Sequence, residues 1–196
     1  MNDSKGTYAL AVPAGIFLLL YGLISVICML GFFATPVLET FLDWTRYLLP
    51  GLAGLFLILR KPRAAAILMV LAAAAVLLRE LPEIPRYLEP NGYLTNPWVK
   101  IEYAEYIPGK YVILPILSIL AALCFAAALF LRGWPSLLLS LCAAAAELAY
   151  MVEQIASIAY VTGHPTGFNV FFPLNFALGA LFAGLSLFSL RKQKGG

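Results

Sequence analysis

The chain has 196 residues, 62 % of them hydrophobic and 12 % charged, with a mean hydropathy of +0.89. So little polar surface cannot clothe a soluble domain, and the expected class is all-α, a single domain of membrane helices over 1–196. The net charge of +3 comes from basic residues that sit beside apolar runs and not in a separate arm or patch, so no nucleic acid is expected as a partner.

After a polar start at 1–6, the apolar run 8–33 exceeds the roughly 7 to 15 residues of a signal-peptide core. Phe32 also stands where a cut after Ala34 would need a small residue. The run is expected to be retained as a first span, with Pro13 near its start, where proline is tolerated. The next apolar core is 47–59, and its helix is expected to begin near residue 40, placing Trp44 and Tyr47 at a membrane interface. Arg60-Lys61-Pro62-Arg63 stops it. The third run, 64–78, would give about 22 Å of helix against a hydrocarbon core of about 30 Å. It must thin the bilayer, lean on snorkelling Arg63 and Arg79, or turn back. The segment 47–78 can therefore be read as two spans or as one re-entrant hairpin.

Between 79 and 111 the character changes, with Pro82, Pro85, Pro90, Pro97 and Pro108, an Asn91-Gly92 turn and six aromatic residues with polar tips. This stretch reads as a loop lying on the outer membrane surface in preference to a folded lid. A fourth span is expected at 112–131, a fifth at 135–160 and a sixth at 168–190. The sixth has Pro173 and Asn175 near its start and a small-residue face of Gly179, Ala180, Ala183 and Gly184 suited to helix packing.

Orientation follows from the basic residues of the loops. One side collects Lys5, Arg60, Lys61, Arg63, Arg132, Arg191, Lys192 and Lys194, and the other collects Arg46, Arg79, Arg86, Lys100 and Lys110. The richer side should be cytoplasmic, so both termini are expected inside a plasma or inner membrane and the 79–111 loop outside. This holds for six spans and equally for four spans with a re-entrant hairpin.

The fifth run is the one that carries carboxylates at membrane depth. Glu147 lies about 18 Å along a helix that starts at Pro135, near the bilayer centre, and Glu153 about 9 Å further on. At 100° per residue, Tyr150, Gln154 and Ser157 share the face of Glu147, whereas Glu153 is turned about 120° away. An ionisable group at that depth faces the bundle interior or a wet cavity, as proton relays and cation sites do. The candidate ligand-binding residues are accordingly Glu147, Tyr150, Gln154 and Asn175. The bland alternative is a core carboxyl satisfied by a neighbouring helix.

Cys28, Cys124 and Cys142 lie inside apolar runs without CxxC spacing, and His164 stands alone in a turn. Neither a disulfide framework nor a metal site is expected, and no cofactor. No phosphate-binding loop, nucleophile elbow or HExxH motif is present. There is an internal echo: Tyr47-Leu-Leu-Pro through Arg60-Lys-Pro62 resembles Tyr111-Val-Ile-Leu-Pro through Arg132-Gly-Trp-Pro135, each followed by an alanine-rich run. It would be a parallel repeat of two hairpins.

Three function classes remain. The first is a small-solute transporter, or the membrane-embedded substrate-capture subunit of one, with a small-molecule ligand and, for the subunit, a transporter ATPase complex as partner. In length and six-span layout the chain is similar to the membrane-embedded substrate-binding components of energy-coupling-factor transporters. That similarity is one of architecture and carries no motif residues over. The second class is a non-catalytic structural or regulatory subunit that binds another membrane protein through its small-residue faces. The third is an intramembrane enzyme acting on a lipid, the least supported because no nucleophile or base is identifiable.

Overall fold

A computed structural model describes residues 10–29, 37–85, 112–162 and 167–192. The expectations for most of the 79–111 loop, for His164 and for both termini fall outside the described residues. Those that are described form six α-helices: α1 Ala11–Met29, α2 Val37–Ile58, α3 Pro62–Glu80, α4 Ile113–Phe130, α5 Trp134–Thr162 and α6 Gly167–Lys192. A 3₁₀ turn, Leu81–Glu83, continues α3. Each helix packs on its neighbours in the chain and α6 returns to pack on α1, so the six close a ring.

Four helical stretches are long and apolar enough to cross a membrane: Pro62–Glu83, Ile113–Phe130, Trp134–Glu153 and Val170–Ser189. Shorter apolar stretches, Ala11–Ile27 and Trp44–Ile58, lie in α1 and α2. The distribution of side chains also marks a membrane protein. Helix α3 buries Ala65, Ala66, Met69, Ala72, Ala73, Ala75 and Val76 while it exposes Ile67, Val70, Leu71, Leu77 and Leu78. A helix in water would turn its leucines inward. Here the small residues let helices approach, and the larger apolar ones face outward, where only lipid makes that favourable. At 19 residues α3 reaches about 28 Å. It is longer than its apolar core because Pro62 starts it and Arg79 and Glu80 complete its last turn.

The closest helix crossing joins α1 to α2. A Cβ on Gly22 would stand 2.7 Å from the Cα of Gly51, and one on Gly54 would stand 2.5 Å from the carbonyl oxygen of Gly15. Only glycine on both helices allows that approach. Phe17 of α1 stacks on Phe182 of α6 at 5.6 Å and closes the ring on that side.

Two interhelical turns are described. At the end of α2, Arg60 N–H donates to the Leu57 carbonyl at 2.9 Å and Lys61 N–H to the Phe56 carbonyl at 2.8 Å. With Arg60 at φ 59°, this is a Schellman cap in which arginine takes the left-handed position that glycine usually fills. In the α4–α5 turn Gly133 has the positive φ, 74°, and its N–H donates to the Leu187 carbonyl of α6 at 3.3 Å. Ser136 Oγ donates to the Ala128 carbonyl at 2.8 Å across the same turn. Pro62 and Pro135 start the next helices, where the missing N–H costs nothing. The backbones of the two turns differ, since α4 ends with Leu131 extended at φ −96° and ψ 171° and without the paired bonds of the α2 cap, so the echo seen in the sequence does not extend to them.

A left-handed residue with a Cβ costs about 1–2 kcal/mol. Arg60→Gly should therefore stabilise the fold by about 1 kcal/mol, raising Tm by about 2–4 °C. Thermal unfolding in detergent measures it, and a lowered Tm would mean that the arginine side chain outweighs the strained backbone.

Candidate functional site

The interior of the ring is mostly alanine, with an aromatic column through it. Tyr21 packs edge-on to Phe176 at 5.6 Å, Phe176 packs edge-on to Phe125 at 5.8 Å, and Tyr21 also meets Tyr47 at 5.9 Å. Beside this column lies a small cavity lined by residues of all six helices, among them Tyr21 of α1, Arg46 of α2, Met69 of α3, Ser118 of α4, Glu147 of α5 and Phe176 of α6. It is therefore on the axis of the bundle. Its volume is about 10 Å³, which is room for about one water molecule.

Glu147 reaches this cavity and is only 4 % exposed. The expectation that it turns inward agrees with its position. The charge that acts on it there is Arg46. From residue 46 to the turn at Arg60, and from the turn at Gly133 to residue 147, the chain counts fourteen residues in each case. Both side chains thus start about 21 Å from the turns that lie at one end of the bundle, and both line the cavity.

Arg46 gathers partners from four helices. Its Nη1 lies 3.8 Å from Glu80 Oε1 of α3. Its Nη2 donates to Ser118 Oγ of α4 and to the Tyr150 hydroxyl of α5, each at 3.4 Å. The guanidinium also stands 5.5 Å from the ring centre of Tyr47 and 5.8 Å from that of Tyr150, within the reach of cation–π attraction. Each contact is long, so the arginine is held by their number and not by any one of them. Its Nε is buried without a hydrogen-bond partner among the described residues. Pro50, one turn on and also in the cavity wall, has no N–H to give, so the Arg46 carbonyl lacks its i→i−4 donor.

Of the sequence candidates, Glu147 and Tyr150 come together with Arg46 on one face of α5. Asn175 is buried, but its Nδ2 donates to the Phe171 carbonyl of its own helix at 2.6 Å. Its neighbour Phe176 is the residue of α6 that lines the cavity. The Gln154 side chain lies outside those described. Glu153 is half-buried further along α5. Sequence reasoning missed Arg46, which the loop charge count assigned to the outer surface, and with it Tyr21, Glu80 and Ser118. The equal depth of residues 46 and 147 was the available signal. Among the described residues no group of three His, Cys, Asp or Glu side chains could hold a metal ion.

Fold and site together define a helical membrane protein with a charged cavity on the axis of its bundle. Compared with known proteins, the chain matches no family model, no curated sequence and no solved structure.

Removing the guanidinium would leave Glu80 and Glu147 in a low-dielectric interior without their cation. Arg46→Leu should cost about 3–5 kcal/mol. Arg46→Leu with Glu147→Gln should be less destabilised than the sum of the single changes by about 1–3 kcal/mol. Thermal unfolding of the four proteins of this cycle in one detergent measures the coupling, and strict additivity would show that the two side chains do not interact.

Proposed function

We propose that the chain crosses a cell membrane six times with both termini cytoplasmic, and that it carries or captures a small polar solute at the Arg46–Glu147 cavity. The observation that carries the reading is the cavity itself, a place on the bundle axis lined by both the buried Glu147 and the largely buried Arg46. Ionisable side chains are costly at membrane depth and concentrate where a solute or ion passes. A site reached from all six helices is also one that a relative shift of helices can open.

Six spans are preferred to a re-entrant hairpin at 47–78 because α2 and α3 run as continuous helices of 22 and 19 residues. The excess of basic residues at the α2–α3 and α4–α5 turns supports the orientation. In that orientation the cavity lies in the outer half of the bundle, on the side from which a capture subunit takes its solute. An energising ATPase complex is the partner that such a subunit would need. A structural subunit draws less support, because the small-residue face of α6 is used inside the bundle: a Cβ on Gly184 would stand 2.5 Å from Cβ of Ser140, and one on Gly179 would stand 2.9 Å from Cγ of Leu18.

Glu147→Gln keeps the shape of the side chain and leaves Arg46 its pairing with Glu80. It should abolish uptake or ligand binding while leaving Tm unchanged, as measured by solute uptake into cells and unfolding of the purified protein. Uptake equal to that of the parent would remove the anchor of the proposal. For orientation, a cysteine placed at Gly92 should react with a membrane-impermeant thiol reagent added outside intact cells and one at Lys194 should not; the reverse pattern would invert the topology.

A further inference from the structure

We infer that the end of the bundle at the α2–α3 and α4–α5 turns binds an anionic phospholipid, with the headgroup phosphate on Lys61, Arg63 and Arg132 and an acyl chain along the outward face of α3. The inference is independent of the solute-capture reading and concerns the end of the molecule away from the Arg46–Glu147 cavity.

The two turns converge on one place. Arg60 and Pro62 of the first line a small cavity together with Leu129, near the end of α4, and Leu187 of α6. The Leu187 carbonyl in turn accepts the Gly133 N–H of the second turn. Arg132, next to Gly133 in the chain, is thereby brought to the same end of the bundle as Lys61 and Arg63.

Charge at this end has one sign. Lys61, Arg63 and Arg132 are exposed, and Arg60 adds a fourth basic residue at the cavity wall. Among the described residues this end holds no acid. Glu39 and Asp43 lie in the first turns of α2, Glu80 and Glu83 at the far end of α3, and Glu147 and Glu153 well inside α5. Basic residues gathered at the ends of neighbouring membrane helices attract phosphate headgroups, and the two arginines present N–H forks that match phosphate oxygens.

The apolar surroundings select a lipid over a soluble anion. Leu59, Leu131 and Trp134 are 54, 42 and 56 % exposed and sit beside the basic residues in the chain, and a tryptophan ring suits headgroup level. Ile67, Val70 and Leu71 are exposed on the side of α3 that carries Arg63. A phosphate at Arg63 therefore stands at the top of an apolar stripe that an acyl chain can follow. A soluble phosphate would use the charges and leave the stripe uncovered.

The test is thermal unfolding of the purified full chain in phosphatidylcholine nanodiscs, with the fraction of phosphatidylglycerol raised at constant salt. The unfolding temperature should rise and saturate at a small fraction. A rise in proportion across the whole range would mean a diffuse surface potential and overturn the inference. Glycerol phosphate added to plain phosphatidylcholine nanodiscs should leave the unfolding temperature unchanged, and an equal rise would overturn the inference in favour of a soluble phosphate site. Arg63→Gln and Arg132→Gln should each raise the half-saturating fraction about fivefold, and Arg63→Lys, which keeps the charge, should raise it less. Parent behaviour in the double glutamine variant would overturn the inference. On the parent alone, native mass spectrometry from micelles holding equal amounts of the two lipids should show phosphatidylglycerol retained in preference. Equal retention would overturn the inference whether or not the variants fold.

Discussion

A guanidinium taken out of water needs more acceptors and more π faces than one helix can carry, and at Arg46 that demand is met by several helices at once. Glu80 answers from α3, Ser118 from α4, Tyr150 from α5 and Tyr47 from the arginine's own helix. No single contact is short. These partners are therefore gathered only when the helices hold one mutual register, since a slip of α4 or α5 by one residue would turn Ser118 or Tyr150 away. The alanine and glycine surfaces allow the helices to approach but are tolerant of sliding. The polar centre supplies the register that they lack, which is the best-attested structural use of buried charge.

That centre has an architecture to match. Leu18, Met69 and Phe125 are fully buried, while a second small cavity, lined by Ala11, Leu57, Arg60 and Ser186 among others, lies at the end of the bundle where the described turns are. The two spaces stand on opposite sides of an apolar middle. Large side chains, Leu18 and Phe125 among them, lie between the two spaces, so rotamer changes and small helix shifts are enough to alter what separates them.

The helical class was legible from composition and run length, because a membrane leaves helices or closed barrels as the only ways to satisfy the backbone. Glu147 was legible for the same reason, as an acid standing in an apolar run. Arg46 was not. Flanked by Trp44 and Tyr47 and preceded by Asp43, it has the neighbours of an interfacial residue, and counting basic residues loop by loop assigned it to water. The structure starts α2 at Val37, which carries Arg46 about 14 Å into the helix. Asn175 failed as a cavity residue for a local reason: its amide reaches back to the carbonyl four residues earlier, a bond that single-helix geometry permits and helical-wheel reasoning does not weigh. The α1–α2 crossing was missed because Gly15, Gly22, Gly51 and Gly54 lie on two helices, and their complementarity is visible only once the helices are paired.

The ring also has a consequence for biosynthesis. Helix α1 finds its second neighbour in α6, through Phe17 on Phe182 and through Gly179 seated against Leu18. All the other helices leave the ribosome before that contact exists. During this interval the cavity lacks Phe176, one of its walls, while the partners of Arg46 on α3, α4 and α5 are already made. The polar centre can therefore assemble before the last helix arrives, and α6 closes it from one side.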